Sequence, residues 1–106
     1  VSDFYDMDGK PMTLAEWAKA FGEPRQIGKT TVGEAEVSTV WLGSDHQFGS
    51  GPPLIFETMI FGGPHDQFCD RYTTKEEAAA GHQRVVLALQ EGRNPRRGRD
   101  ESIPKV

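Results

Sequence analysis

Two segments rich in β-branched and aromatic residues, Ser38-Thr-Val-Trp-Leu-Gly43 and Leu54-Ile-Phe-Glu-Thr-Met-Ile-Phe61, flank a stretch that carries two glycines and two prolines, Ser44–Pro53. The composition of both segments predicts strands. A tight hairpin needs only about two to five connecting residues, so the Ser44–Pro53 loop is longer than strand pairing alone demands. Long loops in compact domains tend to carry function. No motif of known mechanism lies within it, so the chain gives an architecture and a set of candidate positions before it gives an activity.

The rest of the chain is punctuated clearly. Phe4–Met12 reads as a short extended arm turning at Asp8-Gly9. Thr13 and Glu16 have the spacing of a capping box, which predicts a helix over Leu14–Phe21 with Leu14, Trp17, Ala18 and Phe21 as its apolar stripe. Gly22 and Pro24 stop it. Arg25–Val32 is a weaker strand. Gly33-Glu34 is a tight connection into Ala35–Leu42, which alternates Val37, Thr39 and Trp41 with Ser38, Val40 and Leu42. Leu54–Phe61 is apolar on both sides except at Glu57 and Thr58, as expected of a central strand. Gln67–Tyr72 is expected at a sheet edge, where exposure would allow homodimer formation by sheet extension. Thr74 and Glu77 form a second capping box, opening a helix whose inner face carries Ala78, His82, Val85, Val86 and Leu89. Gly81 within that helix points to close backbone packing, and Gly92 and Pro95 end it. The expected fold class is α+β: a three- to four-stranded antiparallel sheet, with a short N-terminal helix and a longer C-terminal helix on one face.

Charge divides the chain in two. Residues 1–92, the expected single domain, hold 14 acidic and 7 basic side chains, while 93–106 hold five basic and two acidic. The second stretch is expected to be a disordered basic tail, in which Arg93, Arg96, Arg97 and Arg99 are the candidates for nucleic-acid contact. The acidic body disfavours that role for the whole molecule. No apolar run approaches the roughly 18 residues that suggest a membrane helix. The single cysteine, Cys69, fits a reducing compartment, and the expected location is the cytoplasm.

Several segments taken together resemble a known group. They are Val37–Gly43, Asp45-His46, Gly51-Pro-Pro-Leu-Ile-Phe-Glu-Thr-Met59 and Cys69-Asp-Arg-Tyr72, with Glu77-Ala78 and Gly81-His82. In these the chain resembles a family of small uncharacterised proteins of bacteriophages, prophages and bacterial genomes. Members of that family open with a Tyr-Asp-x-x-Gly-x-Pro arm, like Tyr5–Pro11, and a short Trp-containing helix. The resemblance covers residues 4 to about 90 and brings no activity, cofactor or catalytic residue. It implies a phage-linked, bacterial setting, in which small acidic proteins act by binding host machinery; that step is association, since fold alone does not fix function.

Candidate chemistry is sparse. Asp45-His46 joins a carboxylate to an imidazole, a pair suited to acid–base work or to binding, although a turn in which Asp45 holds a backbone amide explains it equally well. Ser50 completes no nucleophile elbow, and no metal-ligand spacing connects His46, His65, His82, Cys69, Asp45, Asp66 and Glu57. No metal or cofactor is expected. Glu57, set among Phe56, Met59 and Phe61, needs a partner if it is buried, and Arg71 is the candidate. His82 reads as a hydrogen-bonded core histidine. Cys69 precedes Asp70, which disfavours the thiolate. Trp41 and Phe48 are candidate partner contacts, together with Asp45 and His46; core burial is the competing expectation for Trp41 and Phe56. The reading that results is a protein-binding accessory protein. Two alternatives stay open: a small enzyme or metal protein using Asp45, His46, Glu57 and Arg71, and a nucleic-acid binder using the tail.

Overall fold

A computed structural model describes residues 3–45 and 51–96. The fold is α+β. β1 (Phe4–Tyr5) and β2 (Pro11–Met12) form a two-stranded antiparallel ribbon that leads into α1 (Leu14–Ala20). β3 (Gln26–Val32), β4 (Ala35–Trp41), β5 (Phe56–Phe61) and β6 (Cys69–Tyr72) follow as an antiparallel sheet in the order β3-β4-β5-β6, and α2 (Lys75–Gln90) packs across it. No described helix is long and apolar enough to cross a membrane.

Local chemistry sets most boundaries. Both capping boxes form: the Thr13 and Thr74 hydroxyls accept from the Glu16 and Glu77 amides, and those glutamates accept in return from the amides of Thr13 and Thr74. Gly33, at φ +60°, makes the two-residue turn between β3 and β4. Beyond α2, Gly92 takes the left-handed conformation that closes the helix. The chain then stays on the body, since Pro95 is fully buried and its carbonyl accepts from Arg84 Nη1 at 2.7 Å.

One buried face and two strand starts differ from the sequence reading. α1 buries no residue fully, and Leu14 and Ala18 of the expected stripe face solvent, Leu14 being 61% exposed. Trp17 of that stripe does make inward contacts, and Ala20, outside it, joins it. β5 begins at Phe56, not Leu54. β6 begins at Cys69, because Gln67 has φ 74° and sits in a turn.

The core lies between the sheet and α2, in two apolar clusters. Ala35, Val37, Ile60, Val85 and Val86 form one; Trp41, Ile55, Phe56, Tyr72 and Ala78 form the other. A polar row separates them. Thr39 and Thr58 pair across β4 and β5, hydroxyl to hydroxyl, and both are fully buried. His82 comes down from α2 onto this row, with Nδ1 2.8 Å from Thr39 Oγ1 and Nε2 2.9 Å from Thr30 Oγ1. Gly28 leaves room for the imidazole, and Gly81 for Tyr72, whose ring a Cβ at Gly81 would strike. The close packing read from Gly81 is therefore a contact with Tyr72.

Candidate functional site

The arm, α1 and the base of the 44–53 connection meet at one end of the sheet. Asp6 builds the arm's turn, its Oδ1 accepting from the Asp8 and Lys10 amides at 2.9 Å each. The ribbon then extends β4: Phe4 bridges to Ser44, and the Tyr5 amide donates to the Gly43 carbonyl at 2.7 Å. Asp45 ties both ends of the connection down. Its amide donates to the Asp3 carbonyl at 3.0 Å, and its Oδ1 accepts from the Leu54 amide at 3.0 Å. The carboxylate thus holds a backbone amide, as the turn reading of Asp45 expects. His46 and Phe48 lie outside the described residues.

Above this base the aromatic side chains form a continuous run. Phe4 stacks on Trp17 and Trp17 meets Phe21, each at 4.8 Å between ring centroids; Phe21 approaches Trp41 at 6.3 Å. The Arg25 guanidinium lies 3.8 Å from the Phe21 centroid while Nη1 donates to the Trp41 carbonyl at 2.9 Å. The indoles are fixed by hydrogen bonds: Trp17 Nε1 donates to Leu42 O at 2.9 Å and Trp41 Nε1 to Tyr5 O at 3.1 Å. A Cβ at Gly43 would collide with the Trp17 indole, so glycine there is a condition of the stack.

Trp41, a candidate contact residue, is 2% exposed and belongs to the core, as the competing expectation held; it supports the stack from beneath. Phe56 is fully buried as well. Phe21 and Leu14 are exposed, 37% and 61%, and the sequence reading did not single out either as a contact. The available signal was a two-turn helix carrying more apolar residues than it can bury on one side.

The other candidates gather on the sheet face away from α2. Arg71 Nε lies 3.1 Å from Glu57 Oε2, and Cys69 Sγ donates to the same oxygen at 3.1 Å. The expected Glu57–Arg71 pair is formed. Desolvation first, and then the Glu57 carboxylate, push the Cys69 thiol up to about 11, so thiolate chemistry is suppressed there. On the inner side, burial lowers the His82 pKa and holds its ring neutral, where one nitrogen donates and the other accepts. Of the candidate ligands Cys69 and Glu57 meet, but among the described residues no three His, Cys, Asp or Glu side chains are placed to share a metal ion. Arg93 pairs with Glu91 at 2.7 Å and Arg96 is exposed, while Arg97 and Arg99 lie outside the described residues.

No family model matches this chain, and no curated protein or solved structure matches it either. The functional reading rests on the residues.

Proposed function

We propose that this chain is a small accessory protein, of the phage type its sequence resembles, that acts by binding another protein through the arm, α1 and the connection that Asp45 anchors. The observation that supports this reading is the half-open aromatic run Phe4–Trp17–Phe21 with Arg25 on it and Leu14 beside it. Trp, Phe and Arg are enriched at interface centres, and a contact made by rings already locked in place loses little side-chain freedom. Leu14 is 61% and Phe21 37% exposed, so covering them contributes only part of the about 1.5–3 kcal/mol that full burial of such a side chain is worth, and the locked rings and Arg25 supply the rest of the contact.

The test is capture from a native bacterial lysate with tagged protein, compared with Phe21→Ser, Leu14→Ser and Phe48→Ala variants of unchanged circular dichroism. One dominant protein, retained by the wild type and lost with Phe21→Ser, is the expected result. Capture that survives both α1 variants, or no specific protein at any salt concentration, overturns the reading.

A further inference from the structure

The two edges of the four-stranded sheet are finished differently. At β6 the outward amide of Arg71 donates to Asp70 Oδ1 at 3.1 Å, and just beyond the strand the Thr73 amide donates to Glu77 Oε1 at 3.1 Å. Carboxylates occupy the positions an added strand would need, a common way of blocking an edge. The homodimer expected through Gln67–Tyr72 would have to displace both.

β3 has an irregularity between Gln26 and Gly28, but from Gly28 to Val32 its register with β4 is regular and no carboxylate caps its outward amides among the described residues. Leu42 donates to Ile55, so alternate residues of β4 face β5, and Val37 and Thr39 face β3. The paired β3 residues Thr30 and Gly28 therefore spend their backbone groups on β4, and those of Lys29 and Thr31 point outward. Among the described residues no hydrogen bond reaches them. Lysine on an edge usually deters pairing, but Lys29 Nζ is held 3.3 Å from Glu36 Oε2.

We infer that β3 is a self-association edge, pairing antiparallel with β3 of a second copy about a twofold axis at Thr30. That register sets Lys29 against Thr31 of the second copy, so the two lysines avoid facing each other directly. It also places Glu36 two strand spacings, about 10 Å, from Lys29 of the second copy, with only Thr31 between them. Two lysines and two glutamates then alternate around the axis, and this charge complementarity favours a second copy over an unrelated peptide. The pairing is isologous and closes at two chains, because each β6 edge remains blocked. It leaves the α1 surface free.

Sedimentation of the full chain over about 1–500 µM tests the inference, since that range brackets a weak dimer. The expected species moves from 11.8 kDa to twice that mass with concentration. Thr31→Pro removes an outward amide and leaves the β3–β4 ladder intact, so it should stay at 11.8 kDa with unchanged thermal unfolding. Lys29→Glu should weaken the dimer at least about tenfold at low salt, and adding Glu36→Lys should restore it. Overturning results are a wild type that remains monomeric throughout, a well-folded Thr31→Pro protein that still dimerises, or a charge swap that fails to restore what Lys29→Glu lost. A monomer that pairs through β3 with an added extended peptide would likewise refute self-pairing.

Discussion

Glu57 and Thr58 are neighbours in β5, yet each joins a polar group of opposite character. Thr58 faces α2 and meets Thr39 and, through it, His82, in a row made of hydroxyls and one neutral imidazole. Glu57 faces the other way and meets Arg71 and Cys69, in a charged group whose Arg71 side chain is 36% exposed. The sheet is one residue thick at this point, so covering by α2 is what separates the two. Under the middle of the helix a charge would lose its hydration, and the partners there, Thr39, Thr58 and His82, are neutral and satisfy one another. The one charged contact on this side, Arg84 of α2 with Asp70 at 3.2 Å, lies at the β6 edge, where both side chains stay partly exposed. On the open face water shares the load and an ion pair is tolerated, although it contributes little.

The comparison predicts unequal responses to damage. His82→Ala leaves Thr30 without its buried partner, removes one of Thr39's partners and opens a cavity, so it should cost about 3 kcal/mol in chemical denaturation. A loss below about 1 kcal/mol would mean the row is filler. Gly81→Ala drives a Cβ into the Tyr72 ring and should cost about 2 kcal/mol through overpacking, with Gly22→Ala as the contrasting variant, because a Cβ there meets only an ordinary contact and the backbone is not left-handed.

Acidification should reach the inner row first. The folded His82 pKa lies below the ordinary value of 6.5, so the unfolded chain takes up the proton at higher pH than the folded one. Stability is therefore complete above about pH 6.5 and declines as pH falls below it. Denaturation midpoints of wild type and His82→Gln should converge on going from about pH 7.5 to 5.5; parallel curves would remove His82 as the cause.

On the outer face Glu57→Gln should cost about 1 kcal/mol or less, read by the same denaturation assay. The smallest effect on stability belongs to Cys69→Ser, which should leave the midpoint unchanged. The native thiol, raised from 9.0 to about 11, should be alkylated at neutral pH about a hundredfold more slowly than in the unfolded chain. Equal rates would show that neither burial nor Glu57 raises the thiol in the fold.

The features legible in the sequence are those decided within a few residues. Both capping boxes depend on a three-residue spacing, and the β4 alternation sorts Val37, Thr39 and Trp41 onto one face and Ser38, Val40 and Leu42 onto the other, while which face is buried depends on α2. Glu57 announced its need for Arg71 because a carboxylate in an apolar strand has few inexpensive solutions. The Thr39–Thr58–His82 row was not legible: threonine in a strand reads as ordinary β-propensity, and its partner is set by register and by the placement of α2. The inner side of α1 was legible only at Trp17, since over two turns a helical period cannot tell whether Ala18 or Ala20 shares that side. The ribbon of β1 and β2 escaped notice because two-residue strands depend on docking against Gly43 and Ser44.

Asp45 has a consequence for how this chain can vary. By fastening Leu54 to the end of β4, it makes the strand register independent of the residues that follow it. Closing a longer loop costs only about 0.6 kcal/mol for each doubling of length. A change in the number of residues between Asp45 and Leu54 should therefore leave the β4–β5 register, and the core built on it, unchanged.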